Sequence, residues 1–155
     1  MSRNEPAPPI EDLDEIHQRV QSHLAGVDQR YTSGRRRLVE LLARAGRPVT
    51  MPELSALDPE LPQSSVYRNL EVLERTDLVR RLATGSNHAR YELAEPILGH
   101  HHHLICDDCG TVQDIRFDDR FETKIDAELD AAARRAGFEP LHHTLDLHGR
   151  CPACR

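Results

Sequence analysis

The residues best suited to chemistry are concentrated in the last third of the chain. Cys106-Asp-Asp-Cys109-Gly and Cys151-Pro-Ala-Cys154 are two C-x-x-C knuckles separated by 41 residues. Each puts two thiolates on one tight turn, and together they complete the four-thiolate set that tetrahedral zinc requires. All four positions are filled by protein, so the expected ion is structural, with no open position for catalysis. A thioredoxin-type redox site needs one such knuckle, not two. Just before the first knuckle runs His100-His101-His102-His103. In a strand, His101 and His103 point to one face and His100 and His102 to the other. One strand can thus feed two metal sites; the alternative is a solvated polar strand. No H-E-x-x-H helix accompanies the run, which argues against a metalloprotease.

The elements that position these residues follow from periodicity and caps. From Ile10, the apolar residues Leu13, Ile16, Val20 and Leu24 recur at helical spacing and stop before Gly26. Ser33 is the expected cap of a second helix carrying Leu38, Leu41 and Leu42 and ending at Gly46. Thr50-Met-Pro-Glu53 has the form of a capping box and opens a short helix to Leu57. Ser64 and Ser65 offer caps for a fourth helix with Val66, Leu70 and Leu73 as its buried stripe. Strands are expected over 78–82 and 89–93, around the turn-forming tetrad Thr84-Gly85-Ser86-Asn87. Three short helices and a hairpin are the order of a winged helix-turn-helix, in which the fourth segment is the recognition helix.

The rest divides accordingly. Residues 1–12 are expected to be a disordered acidic extension, 13–93 the winged-helix domain, 94–99 a linker, and 100–155 a small metal-binding α/β domain. That last part reads as strand, knuckle, strand, a helix over about 119–136, a strand over 138–147 and a terminal knuckle. The fold class is therefore α+β. A unit of this size usually needs a metal or an oligomer partner to supplement its core.

Composition narrows the function. The chain has 155 residues, no Trp and only six Phe plus Tyr, which disfavours a large aromatic-lined substrate pocket. No apolar run is long enough to span a membrane, and the acidic, Pro-rich start does not resemble a secretory signal, so the expected compartment is the cytoplasm. The net charge of −6 is segregated: residues 1–27 carry −3, residues 28–90 carry +3 and residues 91–155 carry −6. A positive segment within an acidic chain can meet a polyanion with one face.

The motif Arg30-Tyr-Thr-Ser-Gly-Arg35, the helix Ser65-Val-Tyr-Arg-Asn-Leu70, the run from His100 to Gly110, Gly137-Phe138, His143 and Gly149-Arg-Cys-Pro-Ala-Cys154 together resemble the ferric uptake regulator family, in family order over roughly residues 28–155. The resemblance implies a dimeric, metal-activated repressor. It places the structural zinc on Cys106, Cys109, Cys151 and Cys154, in agreement with the spacing. It implies a sensing site from Glu92, His101 and His103, with Asp114 as an added carboxylate, and an additional site from His100, His102, Glu122 and His143. Glu122 aligns when one residue is inserted near Phe117. Two positions depart from the family pattern. Pro48 stands where many iron and peroxide sensors have His, and Ala94 where zinc-uptake regulators commonly have Cys. His88 is the nearest substitute ligand, although four strand residues span about 13 Å, so it needs a bulge or kink to share an ion with Glu92. His17 and His23 on the first helix are alternatives.

Arg30, Arg35, Ser65, Tyr67 and Arg68 are the candidate DNA-contacting residues. Arg68 can pair bidentately with guanine, and Tyr67 can pack on a thymine methyl. Arg35, Arg36 and Arg37 cannot all face DNA from successive helical positions. The expected function is a zinc- or iron-sensing, homodimeric repressor of metal-homeostasis genes, with structural Zn(II) and a regulatory Zn(II) or Fe(II). Its expected partner is a double-stranded operator, with no membrane association and no enzymatic activity. The competing readings are a zinc hydrolase using the His cluster and a zinc-stapled protein-interaction module.

Overall fold

The computed structural model describes residues 12–84 and 88–155. The expected disorder of residues 1–12 therefore lies outside the described residues, except that Asp12 caps the first helix through Asp14 N–H at 2.8 Å. Helix α1 spans Leu13–Gly26 and buries Ile16, His17, Val20 and Leu24, the stripe set by its spacing. Helix α2 spans Ser33–Ala45 and ends where Gly46 takes a left-handed φ of 59°, which favours glycine. Its cap is Thr32 rather than the expected Ser33: the Thr32 hydroxyl accepts the Arg35 amide, while Ser33 is already inside the first turn.

A two-residue strand β1, Val49–Thr50, leads into helix α3, Met51–Leu57. The capping box is formed in full, with Glu53 accepting the Thr50 amide at 2.7 Å and Thr50 accepting the Glu53 amide at 3.3 Å. Partial burial pushes the Glu53 carboxyl up, but the Thr50 amide and Arg47 outweigh it and hold its pKa at about 2. Helix α4 spans Gln63–Arg75 with Val66, Leu70 and Leu73 inward. It has no side-chain cap, contrary to the role expected of Ser64 and Ser65. Pro62 opens it instead, its carbonyl accepting the Ser65 amide at 2.8 Å. At Gly34 a Cβ would lie 3.0 Å from Asn69 Nδ2, so the missing side chain lets α2 approach α4 closely.

Strands β2, Val79–Leu82, and β3, Arg90–Leu93, form with β1 an antiparallel sheet in the order β1-β3-β2. The tetrad expected to turn this hairpin falls largely on residues 85–87, outside the described residues. The helices and this sheet enclose the main apolar core. Residues 94–99, expected as a linker, contain a short helical turn α5, Glu95–Leu98, whose Ile97 is buried in that core. Arg19 on α1 fixes the turn by donating to the Ile97 carbonyl at 3.2 Å.

Beyond Gly99 a second sheet has the order β5-β4-β6, built from β4 His102–Cys106, β5 Val112–Ile115 and β6 Asp146–Gly149. The β4–β5 pair is antiparallel and the β4–β6 pair parallel. Helix α6, Asp119–Arg135, connects them and buries no residue. The strand expected over 138–147 forms only from Asp146 onward. The buried apolar cluster here consists of Leu82, Ile105 and Val112, and one of the three comes from β2. This second unit therefore has little apolar burial of its own to hold it.

Thr50→Ala removes one half of the capping box and is expected to lower stability by about 1 kcal/mol, read by chemical denaturation. Because the Glu53 pKa is depressed, its contribution is complete above about pH 4.5 and disappears as pH falls toward 2.

Candidate metal centres and DNA-reading face

Three groups of ligand side chains come together among the described residues: Cys106, Cys109, Cys151 and Cys154; Glu92, His101, His103 and Asp114; and His100, His102, Glu122 and His143. Within each group the candidate ligand atoms lie no more than 4.8 Å apart. The alternation of the histidine run across two faces of the strand is thus realised.

The thiol group forms where β6 brings Gly149 alongside Cys106, which juxtaposes the two knuckles. Cys109 Sγ and Cys151 Sγ are 3.7 Å apart, close to the edge of about 3.8 Å implied by a tetrahedron with zinc–sulfur bonds of about 2.3 Å. The Cys151 amide donates to Cys106 Sγ at 3.3 Å. That bond, with a second from the Cys109 amide, lowers the Cys106 thiol to about 6. The neighbouring sulfurs of Cys151 and Cys109 push Cys154 up to about 12. Four clustered thiols resist full ionisation without a cation, and a divalent ion removes that obstacle.

The second group straddles the joint between the sheets. Glu92 ends the wing on β3, His101 immediately precedes β4, His103 lies within β4, and Asp114 pairs with His103 across the β4–β5 ladder. Glu92, His101 and His103 are 3%, 6% and 0% exposed. The Gly99 carbonyl accepts from His101 Nδ1 at 2.9 Å, and the Asp146 carboxylate accepts from His103 Nδ1 at 3.0 Å. Both acceptors lack a proton to offer, so each imidazole carries its hydrogen on Nδ1 and turns Nε2 toward the carboxylates. His103 Nε2 lies 3.0 Å from Glu92 Oε1 and 3.9 Å from Asp114 Oδ1, yet all three atoms are buried without a hydrogen-bonding partner. Lone pairs facing one another in a dry pocket need a positive charge between them, so the donor set fits a divalent cation.

The titration properties agree. Burial raises the Glu92 carboxyl and lowers both imidazoles, but their mutual contacts outweigh it. As a result Glu92 is more acidic than usual, and His101 and His103 hold protons more tightly than a free histidine. Burial and the Glu92 charge push Asp114 up.

The third group lies on the opposite face of β4. His102 Nε2 donates to Glu122 Oε1 at 3.0 Å, and His100 Nε2 and His143 Nε2 lie 3.5 and 4.0 Å from Glu122 Oε2. His143 Nδ1 is held by Asp126 at 2.9 Å, and His100 Nδ1 contacts Glu95 on α5.

His88 does not join the Glu92 group. The β2–β3 ladder is regular from Arg90 to Leu93, so no bulge shortens the distance along the strand. His17 and His23 are also elsewhere: His17 bridges Tyr31 at 2.6 Å and Glu40 at 3.1 Å, and His23 contacts the Thr76 carbonyl at 2.7 Å. The supports Asp146, Asp126 and Glu95 were not found from sequence. No local spacing marks them, because each touches its histidine only after the sheet or the α5 turn has formed.

On the winged helix, Tyr67 is 51% exposed on α4 and belongs to no core cluster, with Arg68 exposed beside it and Ser65 half-buried. Arg30 is exposed in the approach to α2. Arg35, expected to face DNA, folds back onto the Arg30 carbonyl. Arg37 is paired with Asp58 and Glu60, and Arg36 lies 3.6 Å from Glu40.

A winged helix joined to a small sheet unit, with one ligand cluster at the joint and two beyond it, defines the class of a metal-responsive DNA-binding regulator. The chain belongs to the ferric uptake regulator family, whose model matches residues 26–148. It is 30% identical to the peroxide operon regulator of Bacillus subtilis over 129 residues, covering 81% of this chain and 83% of that protein. It is 38% identical to the ferric uptake regulation protein of Synechococcus elongatus over 92 residues, covering 59% of this chain and 58% of that protein. Among solved structures, the Helicobacter pylori ferric uptake regulator, described with three functional metal-binding sites, superposes with a TM-score of 0.68 at 25% identity. That superposition covers 99% of this chain and 97% of the other.

Asp146→Asn is expected to lower cation affinity at the Glu92 cluster by about 10- to 100-fold while leaving the zinc content of the thiol cluster unchanged, as read by chelator competition. Wild-type affinity at that cluster should weaken as pH falls, and should begin to do so at a higher pH than at a site of unperturbed histidines, because cation and protons compete for imidazoles whose pKa is raised.

Proposed function

We propose that the chain is a homodimeric, zinc- or iron-responsive repressor in which occupancy of the Glu92, His101, His103 and Asp114 cluster sets the angle between the winged helix and the second sheet. The observation that carries this reading is the position of the cluster: its ligands come from both sides of the joint, and beside the His101–Glu92 contact at 3.3 Å, Glu92 Oε1, His103 Nε2 and Asp114 Oδ1 converge buried with no hydrogen-bond partner. A divalent cation bound there supplies the missing positive charge. Glu92 then keeps the wing against β4, and His101 and His103 cannot turn away because Gly99 and Asp146 hold their far nitrogens. Two nitrogens and two carboxylates, with no thiolate, suit a borderline to hard first-row ion. Shifting the closed form from about 1% to about 99% requires about 5.5 kcal/mol of differential affinity, which a buried four-ligand site can supply.

The thiol cluster is assigned structural Zn(II), and the His100 cluster a second divalent ion. Three clusters here match in number the three functional sites described for the H. pylori regulator. Helix α6 supports dimerisation: it carries exposed Phe121 and Leu129 and buries nothing within the chain, while Phe138 and Leu141 after it are 72% and 88% exposed. An apolar face of this extent suits a second copy. Tyr67 and Arg68 are assigned to base edges in the major groove and Arg30 to the backbone or minor groove of an operator. No described helix is long and apolar enough to cross a membrane, and the cytoplasm is the compartment assigned.

His101→Ala should abolish metal-dependent operator binding in a gel-shift titration with Fe(II) and Zn(II), while circular dichroism and cysteine-bound zinc remain as in the wild type. Operator affinity unchanged by this substitution would refute the assignment. Arg68→Ala should weaken specific binding by about 1–3 kcal/mol with the metal response retained.

A further inference from the structure

We infer that Arg90 is a positioning residue for the operator-binding conformation, a latch that ties the first cysteine knuckle to the cap of α3 independently of the Glu92 cluster. Arg90 opens β3 and is 9% exposed. Its Nε donates to the Gly110 carbonyl at 2.6 Å, across the joint, in the turn that holds Cys109. Its Nη1 donates to the Pro48 carbonyl at 3.3 Å and to Glu53 Oε2 at 3.1 Å, on the winged-helix side. Glu53 is the carboxylate that closes the α3 capping box, and its other oxygen is held by Arg47 at 2.8 Å. One guanidinium therefore bridges the knuckle and the start of the helix-turn-helix.

The bridge stands beside an apolar contact that also crosses the joint. Leu82, paired with Arg90 in the β2–β3 ladder, packs with Ile105 of β4 and Val112 of β5. The joint is thus fastened at the Glu92 cluster, at the Arg90–Gly110 bond with its neighbouring Leu82 contact, and by the weaker Arg80–Asp146 pair at 4.0 Å. A planar guanidinium presents donors in fixed, divergent directions, so its separate nitrogens can hold acceptors on both sides at once. A lysine ammonium is a single centre on a flexible stem and cannot reproduce that span. With the latch closed, the metal-free protein already samples a restricted set of angles, and the regulatory cation has less freedom left to remove. Losing it lowers the competent fraction, and apparent affinity falls in proportion.

The test has two arms in the full-length, zinc-loaded protein, comparing the wild type with Arg90→Lys and Arg90→Met. The first arm needs neither DNA nor regulatory metal: amide hydrogen exchange is followed at residues 82 and 110–112, with α2 as an internal control. Both variants should exchange faster at the joint and unchanged in α2, with cysteine-bound zinc retained. The second arm rests on the proposed regulatory function and measures the Fe(II) or Zn(II) concentration giving half-maximal operator binding, which should rise about 10-fold in Arg90→Met. Should Arg90→Met fail to fold, Arg90→Lys keeps charge and length and still breaks the span. Wild-type exchange at the joint in Arg90→Lys overturns the latch. A wild-type protein that shows no metal-dependent DNA binding, yet exchanges faster on substitution, overturns the regulatory reading and leaves the latch standing.

Discussion

The structure depends on a buried charge problem at the joint. Glu92 sits at 3% exposure among two imidazoles whose protons are committed to other partners, with Asp114 completing the ring. In water such groups would be solvated separately. Here the wing strand and β4 are packed, so the ring is dry and its atoms cannot all satisfy one another. Positive charge must enter, as protons or as a metal ion. Because Glu92 belongs to the winged-helix sheet and the imidazoles to the chain at the start of the second sheet, whatever supplies that charge also holds the two together. In the proposed switch, sensing and geometry are one interaction rather than two coupled ones.

That arrangement requires the second sheet to be rigid, although its own apolar burial is slight. Helix α6 contributes nothing buried, and the enclosed apolar cluster borrows Leu82 from the wing. In the proposed reading the missing stability comes from the thiol cluster, which closes the loop between Cys109 and Cys151, and from a second copy over α6. In a small unit a four-thiolate zinc contributes on the order of 10 kcal/mol, at least as much as the three clustered aliphatic residues at about 2 kcal/mol each. Metal in the proposed reading serves two purposes, structural at the knuckles and regulatory at the joint, and the donor chemistry separates them. Four thiolates complete a closed tetrahedral shell, whereas imidazole and carboxylate donors suit an exchangeable borderline to hard ion.

Much of this was legible in the sequence because the chemistry was written locally. The paired C-x-x-C knuckles and the alternating histidines constrain geometry whatever the surrounding fold, and Thr50-Met-Pro-Glu53 specifies its own helix start. Caps that depend on one residue were less secure. Thr32 outcompeted Ser33 because the helix begins one residue earlier than the apolar stripe implies, and the Pro62 carbonyl made a serine cap unnecessary on α4. The largest misreading concerned His88, whose use required a distortion that the regular β2–β3 ladder does not have. Asp114 closes the ring instead, supplied by β5 across from His103. Asp146, Asp126 and Glu95 were invisible because a carboxylate that orients a distant imidazole carries no spacing signal. Their roles exist only in the folded chain.

The remaining question is what keeps the two histidine sites distinct. A strand alternates its faces with a period of two, so a one-residue slip of β4 would exchange His101 and His103 for His100 and His102 and destroy both sites together. β4 is held against that slip by ladders on both sides, antiparallel to β5 and parallel to β6. The parallel ladder is the more demanding, since nothing local connects β6 to β4 and the intervening chain includes α6. The thiol cluster resolves this, because Cys106 ends β4 and Cys151 follows β6 by two residues. Four ligand atoms within 4.8 Å permit only one register of β6 on β4. That register places Asp146 on His103. The four-thiol cluster thereby helps to seat the carboxylate that orients His103 at the joint.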